Sequence, residues 1–195
     1  MVSFHDNVYM FGGYENGIKG NSVERFHVLT RTWSKEEYDG TPPSPRSYHC
    51  ACQYEEFMII HGGEGNDNHA EVVNDVCLND PMGSSRKHFK VMRARQEDGS
   101  FVRCLDDMHL YDMLNCRWIT VKSSLSPLPR KGHTLCVGRL RNIKTHLREE
   151  YLILFGGYSA HSNLMSNSLH ICPLAEVIGS PEFPTFQQYS SLIKL

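Results

Sequence analysis

Apolar residues along this chain come in short bursts, and the longest runs, residues 57–60 and 151–155, are four and five residues long. Their β-branched and aromatic content, and the Gly, Pro, Asn and Asp clusters that bound them every 8 to 12 residues or so, predict short strands separated by turns. No segment shows the 3.6-residue spacing of a long amphipathic helix. Three bursts run into a glycine pair: Val8-Tyr9-Met10-Phe11-Gly12-Gly13, Phe57-Met58-Ile59-Ile60-His61-Gly62-Gly63 and Tyr151-Leu152-Ile153-Leu154-Phe155-Gly156-Gly157. A glycine pair there permits positive φ and close backbone approach, which gives it an architectural role.

Other landmarks keep step with the glycines. Trp33 follows Gly13 by 20 residues, and Arg46 follows Trp33 by 13, opening Arg46-Ser47-Tyr48-His49 after Pro42, Pro43 and Pro45. Trp118 is followed after 12 residues by Arg130, opening Arg130-Lys131-Gly132-His133 after Pro127 and Pro129. The order is therefore Pro and Arg, His, an apolar strand, Gly-Gly, an Asn- or Asp-bearing strand, then Trp, at a period near 50 residues.

This cycle resembles the kelch repeat, whose units are four-stranded blades of a β-propeller, over roughly residues 1–175. Leu105-Asp106-Asp107-Met108-His109-Leu110-Tyr111-Asp112, followed by Trp118, is similar to the family's third strand and its approach to the fourth. The resemblance implies an all-β partial propeller of about three four-stranded blades, the first and last incomplete. The kelch region is placed at 1–178, with blade 1 at about 1–40, blade 2 at about 41–124 and blade 3 at about 125–175; residues 179–195 read as a tail. Blade 2 spends 55 residues between Gly63 and Trp118 where blade 1 spends 20, which predicts an insertion at about 64–104. Two segments compete for its third strand, 74–78 and 106–111; the second leaves Trp118 correctly placed on the next strand. Within the insertion, 96–100 reads as a hairpin turn between 89–93 and 101–103.

The resemblance also implies a binding face made of the residues after each Gly-Gly and those opening each first strand. It carries over to Tyr14, Glu15, Asn16, Glu64, Asn66, Tyr158 and Ser159, with Arg46 and Arg130 near the same face. An arginine there has two readings: its planar fork grips a partner's carboxylate or carbonyl, or it binds carbonyls of a neighbouring blade. Ser47-Tyr48 and Lys131-Gly132 differ between units, so specificity is expected around them.

Catalytic inventories come up short. No Gly-x-Ser-x-Gly elbow is present, and the adjacent carboxylates Asp106-Asp107 and Glu149-Glu150 point to opposite faces of a strand. His49-Cys50-Ala51-Cys52 suggests a metal site, but Cys52 and Cys136 each fall six residues after the landmark arginine, so both occupy one repeating strand position suited to a small apolar side chain. His27, His109 and His170 align at one third-strand position and read as packing residues. No second ligand motif completes a zinc site. The expectation is a non-enzymatic module with no cofactor or metal; the runner-up is a fragment of a kelch-like metal-dependent enzyme, of oxidase or specifier type.

Composition narrows the partners. Twenty Lys and Arg against 22 Asp and Glu give a net charge of -2, which lacks the cationic field that draws a domain to nucleic acid or anionic lipid. The apolar runs fall far short of the roughly 20 residues of a membrane-crossing helix. Seven scattered cysteines and the absence of a visible leader point to reduced thiols in the cytosol or nucleus. The expected partner is a protein or peptide, with a substrate-receptor or scaffold role. Further blades or a second copy are expected to close the ring, because three units fall short of a full propeller.

Overall fold

The computed structural model describes residues 1–67, 76–77, 88–89, 94–95, 101–121, 129–142, 145–159, 164–178 and 187–189. Much of the expected insertion and most of residues 179–195 lie outside them.

The repeat folds as three antiparallel sheets, each with four main strands in chain order; the second also holds the short strands Arg46–Ser47 and Ala94–Arg95, six in all. The first consists of Val2–Phe4, Asn7–Glu15, Ile18–His27 and Thr32–Lys35. The second has Cys50–Tyr54, Phe57–Asp67, Phe101–Asp112 and Arg117–Val121. The third has Thr134–Arg141, Arg148–Phe155, Leu169–Pro173 and Gln187–Tyr189. The first and last blades, expected to be incomplete, each carry four strands. Val2–Phe4 supplies a short first strand to blade 1. Gln187–Tyr189, in the segment read as a tail, pairs with Leu169, His170 and Ile171 as the fourth strand of blade 3. Backbone pairing needs no tryptophan, so the missing landmark hid it.

In blade 2 the third strand is the later candidate, with Tyr111 opposite Met58 and Trp118. Val76–Cys77 pairs instead with His88–Phe89. Ala94–Arg95 pairs with Phe101 and Val102; residues 96–100, where a hairpin turn after 89–93 was expected, lie outside the described residues. A short helix, Leu174–Ile178, follows the third strand of blade 3.

The first two glycine pairs bend their strands rather than end them, whereas the third follows the end of its strand at Phe155, and Tyr158–Ser159 beyond it pairs separately with Leu164–Met165. The ladder shifts register between Phe11 and Gly13 and again between Leu105 and Met108, opposite the second pair. Beyond these bulges the strands run on as a ribbon. In blade 1 it turns at Asn16 and Gly17, with φ of 49° and 84°, the double positive φ of a two-residue hairpin turn. The close approach is the deeper reason for glycine. A Cβ on Gly12 would stand 2.9 Å from the Arg46 carbonyl, and one on Gly62 would stand 2.8 Å from the Arg130 carbonyl. In each case the following unit's arginine backbone sits against the first glycine of the pair.

Alternation along the strands builds two cores. Met58, Ile60, Tyr111, Met113 and Trp118 of blade 2 pack with Val2, Tyr9, Phe11 and Val23 of blade 1. The intervening Ile59 and Leu110, with Cys52, Met108 and Val121, face Leu135, Leu152, Leu154 and Cys172 of blade 3, joined by Leu174 and Val177 of the helix. The ladder also corrects one alignment. His109 lies opposite Ile60 and His170 opposite Leu154, so these two are equivalent, but His27 lies opposite Asn7, where blade 2 has Asp112 opposite Phe57.

Two buried histidines tie blades 2 and 3. His61 Nδ1 and His133 Nε2 are 3.0 Å apart, and the rings meet edge to face at 5.0 Å. Such a bond needs one ring nitrogen as donor and the other as lone-pair acceptor. Burial, reinforced by the other histidine and by Arg130, holds His61 well below the ordinary value; burial and then Arg130 bring His133 down to about 4. In the unfolded chain both protonate near pH 6.5. Between about pH 6.5 and 4 the unfolded state binds more protons, so stability falls as the medium is acidified. The melting temperature is expected to drop steadily across that window, and the drop is expected to shrink in His133→Asn; a flat profile from pH 6.5 to 4 would overturn the assignment.

Candidate functional site

The starts of blades 2 and 3 bring most of the polar landmarks together. Arg46 is fully buried. Its Nη1 donates to the Gly62 carbonyl at 2.9 Å and to Asp107 Oδ1 at 2.6 Å, its Nη2 to Asp107 Oδ2 at 2.7 Å, and its Nε to the Ser44 carbonyl at 3.0 Å. His109 Nε2 lies 2.9 Å from Asp107 Oδ2. Burial would raise the Asp107 carboxyl, but the Arg46 and His109 contacts outweigh it and hold the group well below the usual carboxylate range. Arg130, also buried, repeats the carbonyl contact with Gly156 at 2.9 Å and approaches His170 Nε2 at 3.0 Å. Ser168 stands where blade 2 has Asp107, 3.5 Å from Arg130 Nη1. Both arginines therefore clamp their own blade's Gly-Gly turn to its third strand. The partner-contact reading is corrected for them: a guanidinium this buried does not reach a surface ligand.

A second cluster crosses all three units. Glu64 is buried, and its carboxylate accepts from Lys19 Nζ of blade 1 at 2.6 Å and from Lys131 Nζ at the start of blade 3. Burial pushes Glu64 upward; the two ammonium groups reverse that and leave it below its ordinary value. Lys131 Nζ lies 5.6 Å from the ring centroids of both Tyr48 and Tyr158, within cation–π range. The backbone holds this arrangement: Lys131 and Tyr158 exchange N–H to carbonyl bonds of 3.0 and 2.9 Å, and Gly132 N–H donates to the Tyr48 carbonyl at 2.9 Å.

The remaining expected residues divide by exposure. Tyr14, Glu15 and Asn16 are exposed on the blade 1 ribbon, and Tyr158 is half-buried beside Lys131. Ser159 is buried. Asn66 lies in the long second strand of blade 2 opposite Val102; its side chain is outside the described residues. Lys19, Tyr48 and Lys131 join the cluster without having been counted as site residues. The difference between Ser47-Tyr48 and Lys131-Gly132 was the signal for two of them; Lys19 carried none. Among the described residues no three His, Cys, Asp or Glu side chains gather as a metal site would require, and Cys50, Cys52, Cys116, Cys136 and Cys172 are free thiols.

Comparison with known proteins agrees with this geometry. The family described as the KLHDC2/KLHL20/DRC7 Kelch-repeats domain matches residues 1–97. Kelch domain-containing protein 1 of Mus musculus is 29% identical over 140 residues, 68% of this chain and 31% of that protein. The Rab9 effector protein with kelch motifs of Bos taurus is 41% identical over 66 residues, 32% of this chain and 18% of that protein. The chain thus spans less than a third of these curated relatives. The solved structure titled "Structure of YjhT" superposes with a TM-score of 0.56 at 15% identity, covering 95% of this chain and 44% of that one.

The Arg46 clamp generates a stability prediction. Removing one partner of a fully buried, hydrogen-bonded ion pair costs about 3–5 kcal/mol; the Asp107 side chain is 39% exposed, so water offsets part of the loss and about 2–3 kcal/mol remains. Arg46→Ala is expected to lower the free energy of urea unfolding by about that amount, and Arg46→Lys to recover little of it, because an ammonium does not reproduce the two-pronged contact with Asp107. A midpoint close to wild type for Arg46→Ala would show that the clamp contributes nothing.

Proposed function

We propose that this chain, which belongs to the kelch-repeat family, presents the face carrying its Gly-Gly ribbons and blade starts to a protein or peptide partner, as the substrate receptor or scaffold of a larger assembly. The family reading supports a protein-interaction module. The observation that carries the choice of face is the cluster of Tyr48, Lys131 and Tyr158 held on backbone bonds between rigid blades. Aromatic rings with few rotatable bonds lose little entropy on contact, and loops on a rigid scaffold are where recognition concentrates. Action by binding rather than by catalysis accords with the commitment of Arg46, Asp107, His109 and Glu64 to one another and to the lysines. Free thiols at Cys50, Cys52, Cys116, Cys136 and Cys172 fit a reducing compartment, the cytosol or nucleus.

The two outer faces support a further part of this reading. Trp118 is 4% exposed against blade 1, whereas Trp33, at the same place in the repeat, is 56% exposed. Cys52 is buried between blades 2 and 3, and its counterpart Cys136 is exposed. These faces are covered, in our reading, by further blades of the same kind, from a longer chain or from a second copy.

Placing a photo-crosslinking amino acid at Tyr14 or Tyr158, on the proposed face, and at Leu147, on the blade 3 hairpin turn, separates the surfaces. Discrete protein adducts are expected from the first two positions and not from Leu147. Adducts confined to Leu147 would overturn the choice of face.

A further inference from the structure

Tyr48 adopts a left-handed backbone conformation, with φ of 54°. At the same place in the next unit stands Gly132, with φ of 62°. The repeat therefore demands this conformation there: the carbonyl of Tyr48 is turned to accept from Gly132 N–H at 2.9 Å. Glycine takes such a φ freely; a bulky side chain is held there under strain. A strained residue normally recovers the difference by packing, but the Tyr48 side chain is among the exposed large groups of the chain, at 64%. Exposed turn residues such as His5, Arg31 and His146 share a positive φ; Tyr48 differs in that its exposed ring stands 5.6 Å from Lys131 Nζ, presenting an aromatic face and a charge together for contact with something outside the chain.

The charge beside it identifies that contact. Lys19 and Lys131 share the single carboxylate of Glu64, so the trio carries one positive charge more than it neutralises. Lys19 is 3% exposed at its side chain and Glu64 5%, while Lys131 is 28% exposed, so the surplus is reachable only at Lys131, between the Tyr48 and Tyr158 rings. An ammonium flanked by two rings favours an acidic group joined to an apolar or planar neighbour that can lie on those rings.

We infer that Tyr48, Lys131 and Tyr158 form a subsite for an aspartate or glutamate side chain of an extended peptide segment, and that Tyr48 is kept in its strained conformation to form one wall of that subsite. This rests on the interaction reading above and names the chemistry of the partner at one place on that face.

A random heptapeptide library panned on the full chain supplies the probes. Enriched peptides are expected to carry Asp or Glu, to lose about tenfold or more in affinity when that residue becomes Asn or Gln, and to bind more weakly as salt rises. Tyr48→Gly is expected to reduce their affinity about tenfold while raising the melting temperature by about 2–4 °C, since glycine relieves the strain. Tyr48→Phe retains both wild-type affinity and wild-type melting. A structural role for Tyr48 would instead lower the melting temperature in Tyr48→Gly, which overturns the inference, as would enriched peptides without an acidic residue. Acid-dependent peptides that bind Tyr48→Gly as they bind wild type overturn the subsite and leave the interaction reading standing. A library that yields nothing, or only peptides that crosslink at Leu147, overturns both.

Discussion

Everything in this chain depends on burying both faces of a sheet that has only one neighbour on each side. The segment Met58-Ile59-Ile60 sits at the centre of that arrangement, sending Met58 and Ile60 toward blade 1 and Ile59 toward blade 3. Side chains alternate across a strand, so a one-residue slip would exchange the two cores. The register is held at the end of the run, where Gly62 accommodates the Arg130 carbonyl and Gly63 N–H donates to it at 2.9 Å. Packing between blades, bending of strands and placement of the loop face therefore share one cause: the apolar run must stop where the next unit's backbone crosses it.

Much of this was legible because the repeat writes the same local demand several times. The glycine pairs, Trp118 and the choice of 106–111 over 74–78 all follow from local strand and turn chemistry. What stayed hidden depends on partners far apart in the chain. Lys19 and Glu64 are 45 residues apart, and Glu64 and Lys131 are 67 apart, so no local pattern announces their meeting. Spacing located Arg46 and Arg130 without giving their depth, so it left open whether they grip a partner or the backbone of the array. His27 carried the right residue type near the right place, but only the strand ladder reveals that it is out of step with His109. Gln187–Tyr189 escaped because strand pairing uses backbone groups that every sequence has.

The two kinds of charge in the molecule serve different ends. The Arg46–Asp107 pair is two-pronged, with the guanidinium fully enclosed, and it fixes the shape of a turn. The Glu64 cluster is unbalanced and reaches solvent at one end. Buried polar groups specify a fold when all their partners are supplied internally. Groups left short of a partner are where an outside molecule is recognised, and here the two types stand a few residues apart on the same strands.

The unequal environments of Trp33 and Trp118 have an optical consequence. These are the chain's two tryptophans, one in water and one enclosed by Phe11, Tyr38 and Tyr111. Indole emission moves to shorter wavelength as water is excluded, so the native spectrum is a sum of a red and a blue component. Any body that settles on the outer face of blade 1 removes the red one. The protein thus carries an intrinsic fluorescent gauge of whether that side of the array is occupied, legible without a label.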